Sequence, residues 1–251
     1  RWNGGSPHID NEGNFIKSPG VGTTQTQGSV AFNNSGTLDV QSGRLDLSGG
    51  GNSSGSFDAT GTELEFGGGT HTLTGTSSVT ATKVIFSGAT VNHAGSYAVT
   101  GETQVTGGTA NLTGSVTNAG LLTISGGTLN MSNTQGTLTA PSMALSGTGT
   151  LSGTSAVTVS GALAWSGGTM SGAGVTNANT TLTINGTAQK ALGRRLNNKG
   201  TGTWSDIGAF YLVTGGWLDN QAGATFTVQN DEIFRWNGGS PHIDNEGNFI
   251  K

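Results

Sequence analysis

The residues of this 251-residue chain that could carry chemistry are few and scattered. The 14 Asp and Glu are dispersed; the closest groups are Asp231-Glu232 and Asp244-Asn245-Glu246, the latter a second copy of Asp10-Asn11-Glu12. Two carboxylates on alternate positions of a turn could serve general acid–base chemistry or hold an opportunistic cation. The same residues also build a solvated turn in which Asp or Asn bonds its own backbone, and the spacing favours that reading. The four His, at 8, 71, 93 and 242, show no ligand spacing, and there is no Cys to offer a thiolate or a disulfide. The Gly-Asp calcium repeat, the EF-hand loop and the phosphate-binding loop are all absent. No catalytic residue, metal ligand or cofactor is expected, and the chain does not read as an enzyme. What is left is a set of aromatic and imidazole side chains, Tyr211, Trp217, Trp236 and His242. They are candidates for binding a glycan or a protein, although inward packing of aromatics competes with that reading.

Composition narrows the class. Gly accounts for 46 residues and charged residues for 10%, with none between Glu102 and Lys190. Disordered chains combine low hydrophobicity with high net charge, whereas here apolar residues recur at regular intervals and the net charge is only −4. That mild acidity gives no reason to expect nucleic acid as a partner. No run of about 18 apolar residues exists, so no membrane-inserted helix is expected. The N-terminal residues do not form a signal peptide, and a secreted precursor would need one outside this sequence.

The elements that position these side chains follow a fixed period. The motif apolar-x-apolar-polar-Gly recurs in Leu45-Asp-Leu-Ser-Gly49, Leu122-Thr-Ile-Ser-Gly126 and Leu163-Ala-Trp-Ser-Gly167, among others. Its Gly falls at 49, 68, 88, 107, 126, 147, 167 and 186, in steps of 19–21 residues. Such a period marks a solenoid. Each step holds about three short strands with alternating apolar residues. It has no room for a helix of 10–15 residues, so each strand must pair in parallel with its counterpart one rung away. The expected fold is an all-β parallel β-helix of about eleven rungs per unit. Leu38, Val40, Leu45 and Leu47 face inward and Asp39 and Asp46 outward, where Arg44 could pair with one of them. Gly and Asn at the corners are read as residues that tolerate positive φ. Asn92, Asn111 and Asn130, spaced by 19, should stack as a ladder.

Regular rungs span 30–187. Residues 188–251 are looser, and Lys17–Gly28 reads as a loop. Residues 1–17 recur unchanged at 235–251, an offset of 234. The plain reading is one 234-residue unit of a tandem array, whose rungs stack only on neighbours. Duplicated terminal segments exchanged between subunits are the alternative. Neither end reads as a cap.

The segments Phe32-Asn-Asn-Ser-Gly-Thr-Leu-Asp-Val40, Trp165-Ser-Gly-Gly-Thr-Met-Ser-Gly172 and Leu196-Asn-Asn-Lys-Gly-Thr-Gly-Thr-Trp204 resemble repeats of very large bacterial surface proteins of the filamentous-haemagglutinin and autotransporter-passenger kind. That resemblance covers roughly 30–230. It implies a right-handed β-helix, an extracellular or cell-surface location, and a role as fibre, stalk or adhesin. The partners it implies are copies of the chain itself, end to end or side by side, or a glycan or cell-surface protein bound through 205–251.

Overall fold

The computed structural model describes residues 6–251; the first five residues of the duplicated segment lie outside the described residues. The described residues form an all-β parallel solenoid of twelve turns. Each turn lays one strand on each of three faces, visited in the order first, second, third. The first face is a twelve-stranded sheet from His8–Asn11 to Phe234–Asn237. The second runs from Asn14–Lys17 to His242–Asn245, and the third from Thr23–Thr26 to Asn248–Ile250. Four long strands, Ser56–Phe66, Ser78–Phe86, Ser96–Val105 and Ser115–Ile124, each cover the second and third faces, so in this part the two faces share one sheet. From Thr137–Ala140 onward the second face is a separate six-stranded sheet. Where the sheet divides, the Gln135 side chain replaces the missing ladder bond: it accepts from the Val116 amide and donates to Ser115 Oγ.

Period-two alternation explains the core. In-register pairing stacks Leu45, Leu64, Val84, Thr103, Leu122, Met143, Leu163 and Leu182 in one column of the third face. The next inward column holds Leu47, Phe66, Phe86, Val105, Ile124, Leu145, Trp165, Ile184 and Trp204, all buried. Each such side chain contributes about 1.5–3 kcal/mol by leaving water. Two tryptophans lie inside: Trp165 and Trp204 are fully buried, and both rings meet Phe210 edge-on, with centroids 5.3 and 5.6 Å away. Gly202 stands in the Leu45 column because Phe226 of the next turn fills the space a Cβ would need.

Three sequence expectations change. Lys17–Gly28 is not all loop: Thr23–Thr26 forms a strand paired with Arg44–Leu47. It has no apolar residue to announce it, and its place is set by the ladder and by the Gln25 amide donating to Asp46. Arg44 pairs not with Asp39 or Asp46 but with Glu63 and Glu65 one turn on, because in-register stacking brings those side chains nearest. Corner Asn residues do not supply positive φ. Among the described residues Asp206 is the one non-glycine there, and glycines such as Gly108 (φ 66°) do that work. A Cβ on Gly108 would also sit 2.1 Å from the Ala89 carbonyl oxygen, so the corner excludes side chains twice over.

The looser stretch keeps all three faces. Its extra residues gather at the corner from the third face to the first, in 185–189, 205–209 and 229–233.

Candidate functional site

The duplicated segment is the feature that the rest of the chain frames. Its first copy has known neighbours on one side: His8–Asn11 pairs with Ala31–Asn34, and Asn14–Lys17 with Thr37–Val40. Its second copy has known neighbours on the other side: His242–Asn245 pairs with Trp217–Asn220, and Asn248–Ile250 with Thr225–Val228. One sequence thus shows a partner strand on each of its two edges.

A buried polar ladder runs into each copy. The Asn198 amide donates to Asn220 Oδ1 (2.8 Å) and to the Thr225 carbonyl (2.9 Å). Asn220 repeats the pattern, donating to Asn245 Oδ1 (2.6 Å) and to the Asn248 carbonyl (2.9 Å). Asn11, the counterpart of Asn245, repeats it again toward Asn34 Oδ1 (2.7 Å) and the Thr37 carbonyl (2.9 Å). Asn198 and Asn220 are fully buried, and Asn34 nearly so. Each amide therefore satisfies both its neighbour and the carbonyl of the residue that opens the next strand of the adjacent turn. An outer ladder runs parallel to it: Asn197 donates to Asn177 Oδ1, and Asn33 to Asp10 Oδ1.

The outer column proposed from spacing is also hydrogen-bonded. Asn130 donates to Asn111 Oδ1 (3.0 Å) and Asn111 to Asn92 Oδ1 (2.9 Å), on the first face. Asn111→Ala removes both bonds from a partly solvated row, so it should cost only about 0.5–1.5 kcal/mol in denaturant unfolding. A loss well above 3 kcal/mol would show that the row does more than that.

The four aromatic and imidazole candidates lie on two faces. Trp217 and His242 are register partners on the second face, with ring centroids 4.3 Å apart, and the Arg195 guanidinium covers the Trp217 ring at 4.0 Å. Tyr211 points outward from the first face beneath Arg235, whose guanidinium is 5.9 Å from the ring. Trp236 is 71% exposed, yet it is the register partner of Leu212, a core position, and its indole donates to the Gly239 carbonyl.

Among the described residues no group of three or more His, Cys, Asp or Glu side chains converges. Two shallow clefts of about 330 and 300 Å³ lie side by side at the corner of the second and third faces. No motif in the sequence marks them. They share Gly61, Thr62 and Glu63, and their charges are paired: Arg44 with Glu63, and Lys83 with Glu102 at 2.8 Å. Burial alone would raise the Glu102 carboxyl, but Lys83 and Thr123 bonded to it hold it below its ordinary value. It stays ionised and is no proton donor at neutral pH.

His71 and His93 point into the core and are 2% and 1% exposed. His71 lies within hydrogen-bond distance of the Leu47 and Gly68 carbonyls. Among the described residues neither ring nitrogen of His93 has a hydrogen-bond partner. Arg194 and Lys190 are equally buried, which a sequence reading that places cations outside does not anticipate. Lys190 bonds the Gly186 carbonyl at 2.7 Å.

Comparison of the chain with protein-family models, with curated proteins and with solved structures finds no match, so the architecture and the ladders stand as the basis for its function.

Proposed function

We propose that this chain is a repeating segment of an extracellular or cell-surface fibre, filament or stalk, in which 234-residue units stack end to end through continuous parallel β-ladders. Its role is mechanical, not catalytic. One observation carries this reading: the two identical copies of the duplicated segment each take a partner strand on a different edge. Laid over one another, they make a single strand layer with neighbours above and below and no unpaired row between units. The low-charge Ser, Thr and Asn outer faces suit a long rod that stays in solution and leaves sides free for lateral association. The resemblance to bacterial surface repeats agrees with an exported location.

An adhesin binding a glycan or protein through 205–251 is the second reading. Trp217 and Tyr211 would serve it, but both already carry an arginine over the ring. Trp236 continues a core column, which suits stacking better than capture of a ligand.

Electron microscopy of the native material tests the proposal. A continuous filament with an axial reflection near 4.8 Å, the spacing of hydrogen-bonded strands, is the expected result. Discrete short particles with closed ends would overturn it.

A further inference from the structure

The two copies of the duplicated segment do not occupy the same faces. His8–Asn11 lies on the first face and Asn14–Lys17 on the second. Their counterparts His242–Asn245 and Asn248–Ile250 lie on the second and third. The first copy opens turn one on the first face; the second copy stands in turn twelve on the second face. From one to the other the chain advances by eleven complete turns and one face more.

Resting on the stacking proposed above, we propose that successive units join with a rotation of one face, a third of a turn, so that the surface accepting each unit is the next unit displaced around the axis. The junction then needs no change in strand pairing. The second-face strand His242–Asn245 then receives the strand one turn further on, just as His8–Asn11 receives Ala31–Asn34.

The buried amides give independent support. Asn198, Asn220 and Asn245 line the corner between the second and third faces, whereas Asn11 and Asn34 line the corner between the first and second. Only a one-face rotation aligns these corners. It merges the two rows into Asn198, Asn220, Asn245 (the counterpart of Asn11) and the counterpart of Asn34, each donating to the next. The outer polar column joins at the same place, because Asp244 stacks on Asp219 and its counterpart Asp10 accepts from Asn33. A junction with no rotation would leave Asn220 and the segment's own Asn on different corners. Asn220 would then be buried without its side-chain acceptor, and the Oδ1 of the segment's Asn would lose the donor that Asn220 gives it, which is costly.

The consequence is a fibre with three alike sides. A feature on one face of a unit, such as the Asn92–Asn111–Asn130 row, would appear on a neighbouring face in the next unit. It would return to its starting side after three units and 34 turns, about 160 Å at roughly 4.8 Å per turn. A rod built this way offers lateral contacts in three directions, where an unrotated one would form flat ribbons.

The chain has no cysteine, so engineered pairs report face assignment directly. Ile16 pairs with Asp39, and its counterpart Ile250 pairs with Thr227. Neighbouring strands place Cα atoms about 4.8 Å apart, within disulfide range. On oxidation, I16C/D39C and T227C/I250C should each close an intrachain disulfide. D219C/I250C, the pair that an unrotated copy would bring together, should remain reduced. Formation of the D219C/I250C bond in place of T227C/I250C would overturn the rotation.

The second measurement is a cryo-electron microscopy reconstruction of a chain extended to three units by repeating residues 18–251. A straight rod in which each copy of the duplicated segment stands one face further round is expected. A rod with all copies on one side would overturn the rotation and leave the fibre intact. Separate globular units with no shared ladder would overturn both.

Discussion

Arg194→Ala is expected to destabilise the solenoid by about 3–5 kcal/mol, the largest effect of any single side-chain change considered for this chain. Arg194 is 1% exposed, at the corner between the first and second faces. It donates to the Gly174 carbonyl (3.0 Å), the Ser155 carbonyl (3.0 Å) and the Ser171 carbonyl (3.3 Å). Ser155 lies two turns away from Arg194, so one side chain ties three successive turns. Below it the polar corner continues, with Ser155 Oγ donating to Asn133 Oδ1. No carboxylate pairs with this cation among the described residues, and burial pushes its pKa down to about 10. At neutral pH it therefore remains charged, and its desolvation cost is offset by the three carbonyls alone. Truncation to Ala leaves those carbonyls unpaired and opens a cavity; each effect is destabilising. Arg194→Met separates the two. It restores much of the volume without the donors, and it should recover the part of the loss that comes from the cavity, leaving the part that comes from the unpaired carbonyls. Equilibrium unfolding in urea of both variants reads this out. If Arg194→Ala shifts the midpoint no more than a surface substitution does, the tie between turns is not a source of stability.

The second large effect is on pH. The His93 ring sits between Leu73 and Leu112 in an inward column of the first face and meets Tyr97 edge-on at 5.8 Å. With neither nitrogen bonded, burial depresses its pKa from 6.5 to about 4. A depressed histidine is neutral in the fold and more readily protonated in the unfolded chain. The stability it permits is complete above pH 6.5 and is lost as the pH falls from 6.5 toward 4. The loss over that window is on the order of 3 kcal/mol. His71, whose pKa burial also lowers against the two carbonyls it meets, adds to the loss in the same direction. His93→Leu continues the leucine column. It should raise stability at neutral pH by about 1–3 kcal/mol, because two unpartnered polar atoms leave the core. It should also flatten the decline between pH 6.5 and 4. Thermal unfolding of the parent and the variant at a series of pH values checks both. An unchanged acid slope in the variant would assign the titration elsewhere.

Periodicity made the architecture legible before any coordinates. The 19–21-residue step of the motif glycines can be read in the chain because every turn must solve the same problem: two inward apolar residues per strand and a tight corner after it. Alternation places Leu45 and Leu47 inside, and the structure buries both completely. Strand Thr23–Thr26 escaped because a strand can be held by backbone pairing alone, and backbone hydrogen bonds leave no mark in residue type. The corner asparagines were visible, but their role was not: Asn198 and Asn220 contribute a buried amide, not a left-handed turn. Side-chain type gives the capacity to donate; direction depends on which way the corner bends.

The sequence by itself determined the strand period, the inward residues, the glycine corners and the identity of the two 17-residue copies. Those follow from local rules, in which alternation and steric freedom act over a few residues. Only the tertiary structure decided which face each copy occupies, that Arg194 points inward across three turns, and that His93 meets no polar partner. These depend on the count of strands accumulated along the whole unit and on contacts between residues some 20 to 40 positions apart. A local pattern repeats identically at 8–11 and 242–245, and only the number of strands between them places one copy a face away from the other.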